Sequence, residues 1–190
     1  SSSDASEGTV SPASVTFTAG NWNSPQTVTV SGVNDAVADG DVGYTIVTAA
    51  AVSADANYNS LIAADVAVTN TDDDTAGITV SPASGLISTE AGGTATFTIV
   101  LNSQPTANVT IGLSSSDVSE GSVSPESLTF TAANWSVPRI VTVTGVDDEL
   151  DDGGVVYAIV TAAATSADAN YNVLNAADVS VTNTDDDTAG

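Results

Sequence analysis

The segment VTNTDDDTAG occurs twice, at Val68–Gly77 and Val181–Gly190. Each copy sets three carboxylates side by side, Asp72, Asp73 and Asp74, then Asp185, Asp186 and Asp187. Adjacent carboxylates repel, and the chain offers almost nothing to compensate: 24 acidic residues face one basic residue, Arg139, for a formal net charge of −23. Further acids gather where strand-like runs end. Glu90 precedes AGGTATF, Asp117 and Glu120 share one loop, and Asp147, Asp148 and Asp152 share another. If these loops meet at one pole of a β-fold, their carboxylates converge, which is too costly to stand uncompensated. A hard divalent cation resolves the conflict, and Ca2+ accepts about six to eight oxygens in flexible geometry. Solvated turns are the competing reading, since Asp is a common turn former. The letter-for-letter repetition of the triple Asp favours the metal.

Other chemistry is poorly supplied. Without His or Cys, no Ser–His or Cys–His nucleophile, zinc–thiolate site or disulfide can be built. A carboxylate pair could serve glycoside hydrolysis, but a sugar cleft needs stacking aromatics, and aromatics make up 5% of the chain. The expectation is a protein that is not an enzyme. ADGD and DDGG lack both the EF-hand loop and the Gly-rich nonapeptide repeat. The charge sets the chain against nucleic acid and anionic membrane surfaces, and no apolar run approaches transmembrane length. A hydrophobic content of 42% implies a packed core instead of an acidic disordered tail. Arg139 is the only tryptic site, which suits an exposed extracellular life. The chain opens on Ser1 with neither Met nor signal peptide and reads as an internal segment of something longer.

The elements that must position these acids repeat. Ser1–Gly77 realigns on Ser114–Gly190 at a constant offset of 113, with 56 of 77 positions identical and no gap. Ile78–Leu113 occurs once, so Ile78–Gly190 is one whole unit and residues 1–77 are the back of a unit lacking its first strands. Such arrays of near-identical units are beads on a string. Val, Ile, Thr and aromatics dominate Ile78–Val80, Leu86–Thr89, Thr94–Leu101, Val109–Leu113, Leu128–Thr131, Ile140–Val146, Val155–Thr161 and Val179–Asn183. Alternation within several of them and the Gly, Pro, Asn and Asp between them predict an all-β, immunoglobulin-like sandwich of about seven strands. The Ala-rich stretches Ala49–Ala56 and Ala162–Ala169 lack an apolar face of helical period and are expected as strand ends running into loops. Phe17, Phe130, Tyr44 and Tyr157 are expected in the core, Trp22 and Trp135 as core or rim plugs, and Tyr58 and Tyr171 as loop anchors.

STEAGGTATFTIVL, SEGSVSPESLTF, VTVTGVDDELDDG and VSVTNTDDDTAG resemble the successive motifs of the Calx-beta domain. That family comprises immunoglobulin-like sandwiches of sodium–calcium exchangers, integrin subunits and large bacterial surface proteins. The resemblance spans Ile78–Gly190 and, truncated, Ser1–Gly77. It implies Ca2+ ligands at Glu90, at Glu120 (with Asp117 as alternative), at Asp147, Asp148 and Asp152, and at Asp185, Asp186 and Asp187. In the partial unit the matching positions are Glu7, Asp35, Asp39, Asp72, Asp73 and Asp74. There Asn34 replaces the first Asp and the opening Glu is missing, so that site is expected to be the weaker. With only Thr75, Ala76 and Gly77 separating Asp74 from Ile78, the triple Asp reads as an interdomain calcium clamp. The function implied is a Ca2+-stabilised tandem repeat of a secreted or cell-surface adhesin or fibre, its partners being adjacent repeats or neighbouring copies. The alternative is a subunit of a self-assembling extracellular filament whose sandwiches are completed by strands from neighbouring chains.

Overall fold

The computed structural model describes residues 1–188 as an all-β chain; Ala189 and Gly190, which close the second VTNTDDDTAG, lie outside the described residues. Two compact units are formed, Ser1–Asp35 with Asp39–Asp73, and Ala36–Ala38 with the chain from Asp74 onward. The division falls a few residues before the Gly77/Ile78 boundary expected from the repeat. Packing explains the difference: the Gly77 carbonyl accepts the Asn102 N–H at 2.9 Å, and Ala76 lies against the core of the second unit.

In the first unit, β1 (Gly8–Ser11) pairs antiparallel with β2 (Thr29–Gly32), and β3 (Val42–Ile46) pairs antiparallel with β4 (Val66–Asn70). These are separate two-stranded sheets. Tyr44 and Ile46 are buried, as expected of Tyr44, but Phe17, Trp22 and Tyr58 are exposed. Phe17 and Trp22 were expected to be covered. The strands that bury their counterparts in the second unit have no equivalent in the first.

The second unit adds β5 (Ile78–Ser81), β6 (Leu86–Thr89), β7 (Thr94–Leu101), β8 (Val109–Ser115), β9 (Gly121–Ser124), β10 (Ser127–Phe130), β11 (Arg139–Gly145), β12 (Val155–Thr161), β13 (Thr165–Ser166) and β14 (Val179–Thr184). One sheet runs β5-β7-β11-β9; the other runs β10-β8-β12-β14-β6, with β13 on β8. This contains the ABED and CFG division of an immunoglobulin-like sandwich, with β10 and β13 added on β8 and β6 added parallel to β14. Period-two patterning fixes which faces meet. TATFTIVL turns Phe97, Ile99 and Leu101 inward beside Val141 and Val143 of β11 in the same sheet, and Val109 and Ile111, Ile159, and Val179 and Val181 belong to the other sheet of the core. Burying each such side chain stabilises by about 1.5–3 kcal/mol before ordering entropy is counted. The Ala-rich stretch at Ala162–Ala169 is short strand and loop, as its lack of helical period implied. Tyr171 is more than a loop anchor: it is fully buried, and its hydroxyl donates to the Ser103 carbonyl at 2.7 Å and accepts the Ser103 N–H at 3.0 Å.

Candidate metal centre

Strand register gathers the acids at one pole of the second unit. Thr89 pairs with Thr184, so Glu90 and Asp185 follow neighbouring strand ends. Gly145 pairs with Gly121, which places Glu120, just before β9, beside the exit of β11 and hence near Asp147 and Asp148. Val155 pairs with Asn183, bringing the β11–β12 loop with Asp152 to the same end. Both sheets therefore contribute, β6 and β14 from one and β9 and β11 from the other.

Three groups result, two of which share Glu90. One carboxylate oxygen from each of Glu90, Asp185 and Asp187 lies within 4.8 Å of the others, as do oxygens of Glu90, Asp147 and Asp186, and of Glu120, Asp148 and Asp152. Oxygens on opposite sides of one Ca2+ stand about 4.6–5.2 Å apart, twice the usual Ca–O distance. The donor set is thus the right chemistry at the right spacing for a hard cation. In the first unit Glu7, Asp35 and Asp39 form the counterpart of the Glu120, Asp148 and Asp152 group, with the same 4.8 Å limit. Asp72, Asp73 and Asp74 form a further group by themselves. No residue of the first unit corresponds to Glu90.

Asp117 stands apart. Its carboxylate accepts the Ser119 N–H at 3.1 Å and the Ser119 hydroxyl at 2.5 Å, a local turn that holds its pKa below the ordinary value. Asp4 makes the same turn with Ser6 in the first unit. Of the two candidates in that loop, Glu120 is the one the fold brings to the acidic pole.

Glu90 is the singular member of the site. It is 2% exposed, yet among the described residues its Oε2 has no hydrogen-bond partner, and neither has Oδ2 of Asp187. Burial pushes the Glu90 pKa up, and the charges of Asp185, Asp148 and Asp152 push the same way; the Asp186 N–H only partly offsets them. Asp187 is raised likewise, by burial and then by Asp185, Asp186, Asp147 and Asp148. Asp185 goes the other way, because its oxygens accept the N–H groups of Asp187 and Gly153, each at 2.7 Å. Gly153 reaches that position with φ at +75°, a backbone conformation that glycine adopts freely. A buried carboxylate oxygen without a donor is costly, and Glu90 has an oxygen within 4.8 Å of carboxylate oxygens of its neighbours. Asp168, also buried, contrasts with it. Burial raises its pKa, but the Thr106 and Asn170 N–H groups outweigh this and leave it low.

A buried polar network beneath the pole escaped the reading of the sequence. Ser88 donates to Asn183 Oδ1 at 3.0 Å and lies 3.2 Å from the Tyr157 hydroxyl. Asn183 Nδ2 donates to Glu120 Oε2 at 3.4 Å and to the Val146 carbonyl at 3.0 Å. Asn70 repeats this in the first unit, donating to Glu7 at 3.2 Å and to Val33 at 2.8 Å. The alternation of VSVTNT held the signal, since it puts Asn183 on the same inward face as Val179 and Val181. Gly145 completes the fit: a Cβ there would stand 2.2 Å from the Thr89 carbonyl oxygen and 2.4 Å from Asn183 Oδ1.

No family model matches the chain, and no curated protein matches it. Among solved structures it is similar to the periplasmic chaperone SfaE, with a TM-score of 0.43, 10% identity and coverage of 58% of this chain and 58% of that one. It is also similar to WR4, a C. elegans MSP family member, with a TM-score of 0.36, 16% identity and coverage of 56% of this chain and 95% of that one. A third similarity is to domains 4 and 5 of the S-layer protein SbsC, with a TM-score of 0.34, 13% identity and coverage of 84% of this chain and 82% of that one.

Proposed function

We propose that the chain is a Ca2+-stabilised tandem β-sandwich repeat with a mechanical role in a secreted or cell-surface protein, as a spacer in an adhesin or fibre. One observation carries this reading: the buried Glu90 with its donorless Oε2, set among Asp147, Asp185, Asp186 and Asp187. The recurrence of the Glu-Asp-Asp group in both units supports it, as does the resemblance to Calx-beta motifs. Ca2+ at the pole draws β6, β9, β11 and β14 together and so ties the two sheets at one end. Its Kd belongs in the range of extracellular modules, about 0.1–1 mM, which matches a compartment rich in the ion. A chain with Arg139 as its only tryptic site suits that compartment as well.

The strand order favours bearing load. β6 lies near the start of the second unit and β14 near its end, and the two are parallel neighbours from Val181 opposite Leu86 to Thr184 opposite Thr89. Tension applied along the array pulls these strands in opposite directions along their length. Their ladder bonds then resist together instead of opening one at a time. A cation held by Glu90 and Asp185, immediately after the two strands, adds to that resistance. Titration calorimetry with CaCl2 tests the reading directly. Saturable binding is expected in the unaltered chain and is lost from the second unit's site in the Asp185→Ala/Asp187→Ala variant. Absence of binding at ~10 mM Ca2+, well above the expected Kd, contradicts the proposal.

A further inference from the structure

One buried amide sits among the segments that carry the acids of the second unit. Asn183 is fully buried on the inward face of β14, in line with Val179 and Val181. An apolar residue would serve the core at that position, and a polar one is costly unless its groups are satisfied. Its hydrogen bonds reach three other segments. Oδ1 accepts the Ser88 hydroxyl, two residues before Glu90. Nδ2 donates to the Val146 carbonyl, one residue before Asp147, and to Glu120 Oε2. Two residues further along, the chain of Asn183 itself reaches Asp185. The Val146 carbonyl can only accept, so the amide nitrogen must face this side. Glu120 is buried as well, and among the described residues Asn183 supplies the hydrogen bond to its carboxylate. The first unit repeats the pair of donations, from Asn70 to Glu7 Oε2 and to the Val33 carbonyl. Glu7 stands with Asp35 and Asp39 as Glu120 does with Asp148 and Asp152. Gly32 and Gly145 leave room for these amides, since a Cβ at either glycine would collide with the Asn side-chain oxygen.

We propose that Asn183 is a positioning residue of the cation site, acting through Glu120, whose carboxylate it holds at the pole beside Asp148 and Asp152. This inference rests on the Ca2+-stabilised reading above. A glutamate side chain loses rotamer freedom when it becomes a ligand, and a hydrogen bond set in advance by a buried amide lowers that cost. The amide is itself held from both ends, by Ser88 at Oδ1 and by Val146 at Nδ2. A neutral donor suits the task. A Lys or Arg would also fix the carboxylate, but its charge would compete with the cation, whereas an amide orients Glu120 and leaves its negative charge intact. Support for the core alone accounts for the bond to the Val146 carbonyl. It does not account for the bond to a glutamate that recurs in both units.

The test is calorimetric titration of the full chain with CaCl2 at neutral pH, well below the melting temperature of every variant. The second unit's share of the binding is the part lost in the Asp185→Ala/Asp187→Ala variant. Asn183→Ala is expected to weaken that share by about 10–100-fold, the usual scale for a group that supports a metal ligand. Glu120→Ala weakens it too, and adding Asn183→Ala to Glu120→Ala brings little further loss, because nothing remains to be positioned. Losses that add in the double variant belong to a merely structural residue and overturn the proposal. An affinity unchanged by Asn183→Ala also overturns it. If Asn183→Ala fails to fold, Asn183→Asp takes its place, since it keeps the side-chain volume and the acceptor for Ser88 but sets an oxygen opposite Glu120. Weaker binding is expected there despite the added negative charge, and equal or tighter binding overturns the proposal. Absence of saturable binding by the unaltered chain contradicts the Ca2+ reading and this inference with it. Binding that ignores Asn183 contradicts this inference alone.

Discussion

Glu90 takes its chemistry from its neighbours. Folding raises its pKa, so the folded state prefers the protonated acid. That contribution is complete below the ordinary glutamate range and is lost as pH rises through the raised value. Without metal, therefore, Glu90→Gln melts higher than the unaltered chain at pH 7, and the difference disappears near pH 3, where the acid is protonated in both states. With ~10 mM Ca2+ at pH 7 the order reverses, because the variant has lost a ligand; thermal melts at the two pH values check both signs. Asp117 gives the contrasting case. Its lowered pKa means that its turn contributes stability above the ordinary aspartate range and loses it as pH falls, so Asp117→Ala melts somewhat lower at pH 7 while its Ca2+ increment stays whole. An equal loss of increment in Asp117→Ala and Glu90→Gln would mean that the cation response is diffuse. Asn183→Ala strips the buried donor from Glu120 and is expected to cost about 1–3 kcal/mol in denaturant unfolding. The acids themselves were legible in the sequence from their place after strand-like runs. Asn183, Ser88 and the unpartnered Oε2 of Glu90 were not, because hydrogen-bond satisfaction depends on which strands become neighbours.

At the scale of elements, alternation told most of the story. TATFTIVL and VVYAIVT are strands over the ranges their period-two pattern marks, Thr94–Leu101 and Val155–Thr161. GSVS at Gly121–Ser124 is not among the strand-like runs of the sequence yet forms β9, since its partner β11 supplies the pairing that Gly and Ser do not favour on their own. Trp22 and Phe17 show the opposite limit. Their sequence surroundings are those of Trp135 and Phe130, but burial belongs to the strands that arrive from elsewhere in a repeat. The same truncation should thus have unlike consequences in the two copies. Phe130→Ala is expected to cost about 3–5 kcal/mol in the unfolding of the second unit, whereas Phe17→Ala falls within about 0.5 kcal/mol, as read from denaturant midpoints. Comparable losses at both positions would show that the first unit is covered in solution.

For the molecule as a whole, a formal charge of −23 opposes compaction, and the fold concentrates part of that charge at one pole, where both sheets end. In the proposed Ca2+-stabilised repeat a cation there would compensate buried charge and join four strand ends, which would link folding to Ca2+ binding. At ~10 mM Ca2+ and a Kd of about 0.1–1 mM, mass action contributes roughly 1–3 kcal/mol per site. The most direct test is the thermal unfolding of the unaltered chain in CaCl2 and in EGTA at matched ionic strength, with MgCl2 as the comparison. The Ca2+-stabilised repeat predicts a higher melting temperature in CaCl2, a smaller rise in MgCl2, and loss of the CaCl2 rise in the Asp185→Ala/Asp187→Ala variant. A melting temperature that is the same in CaCl2 and EGTA would contradict it.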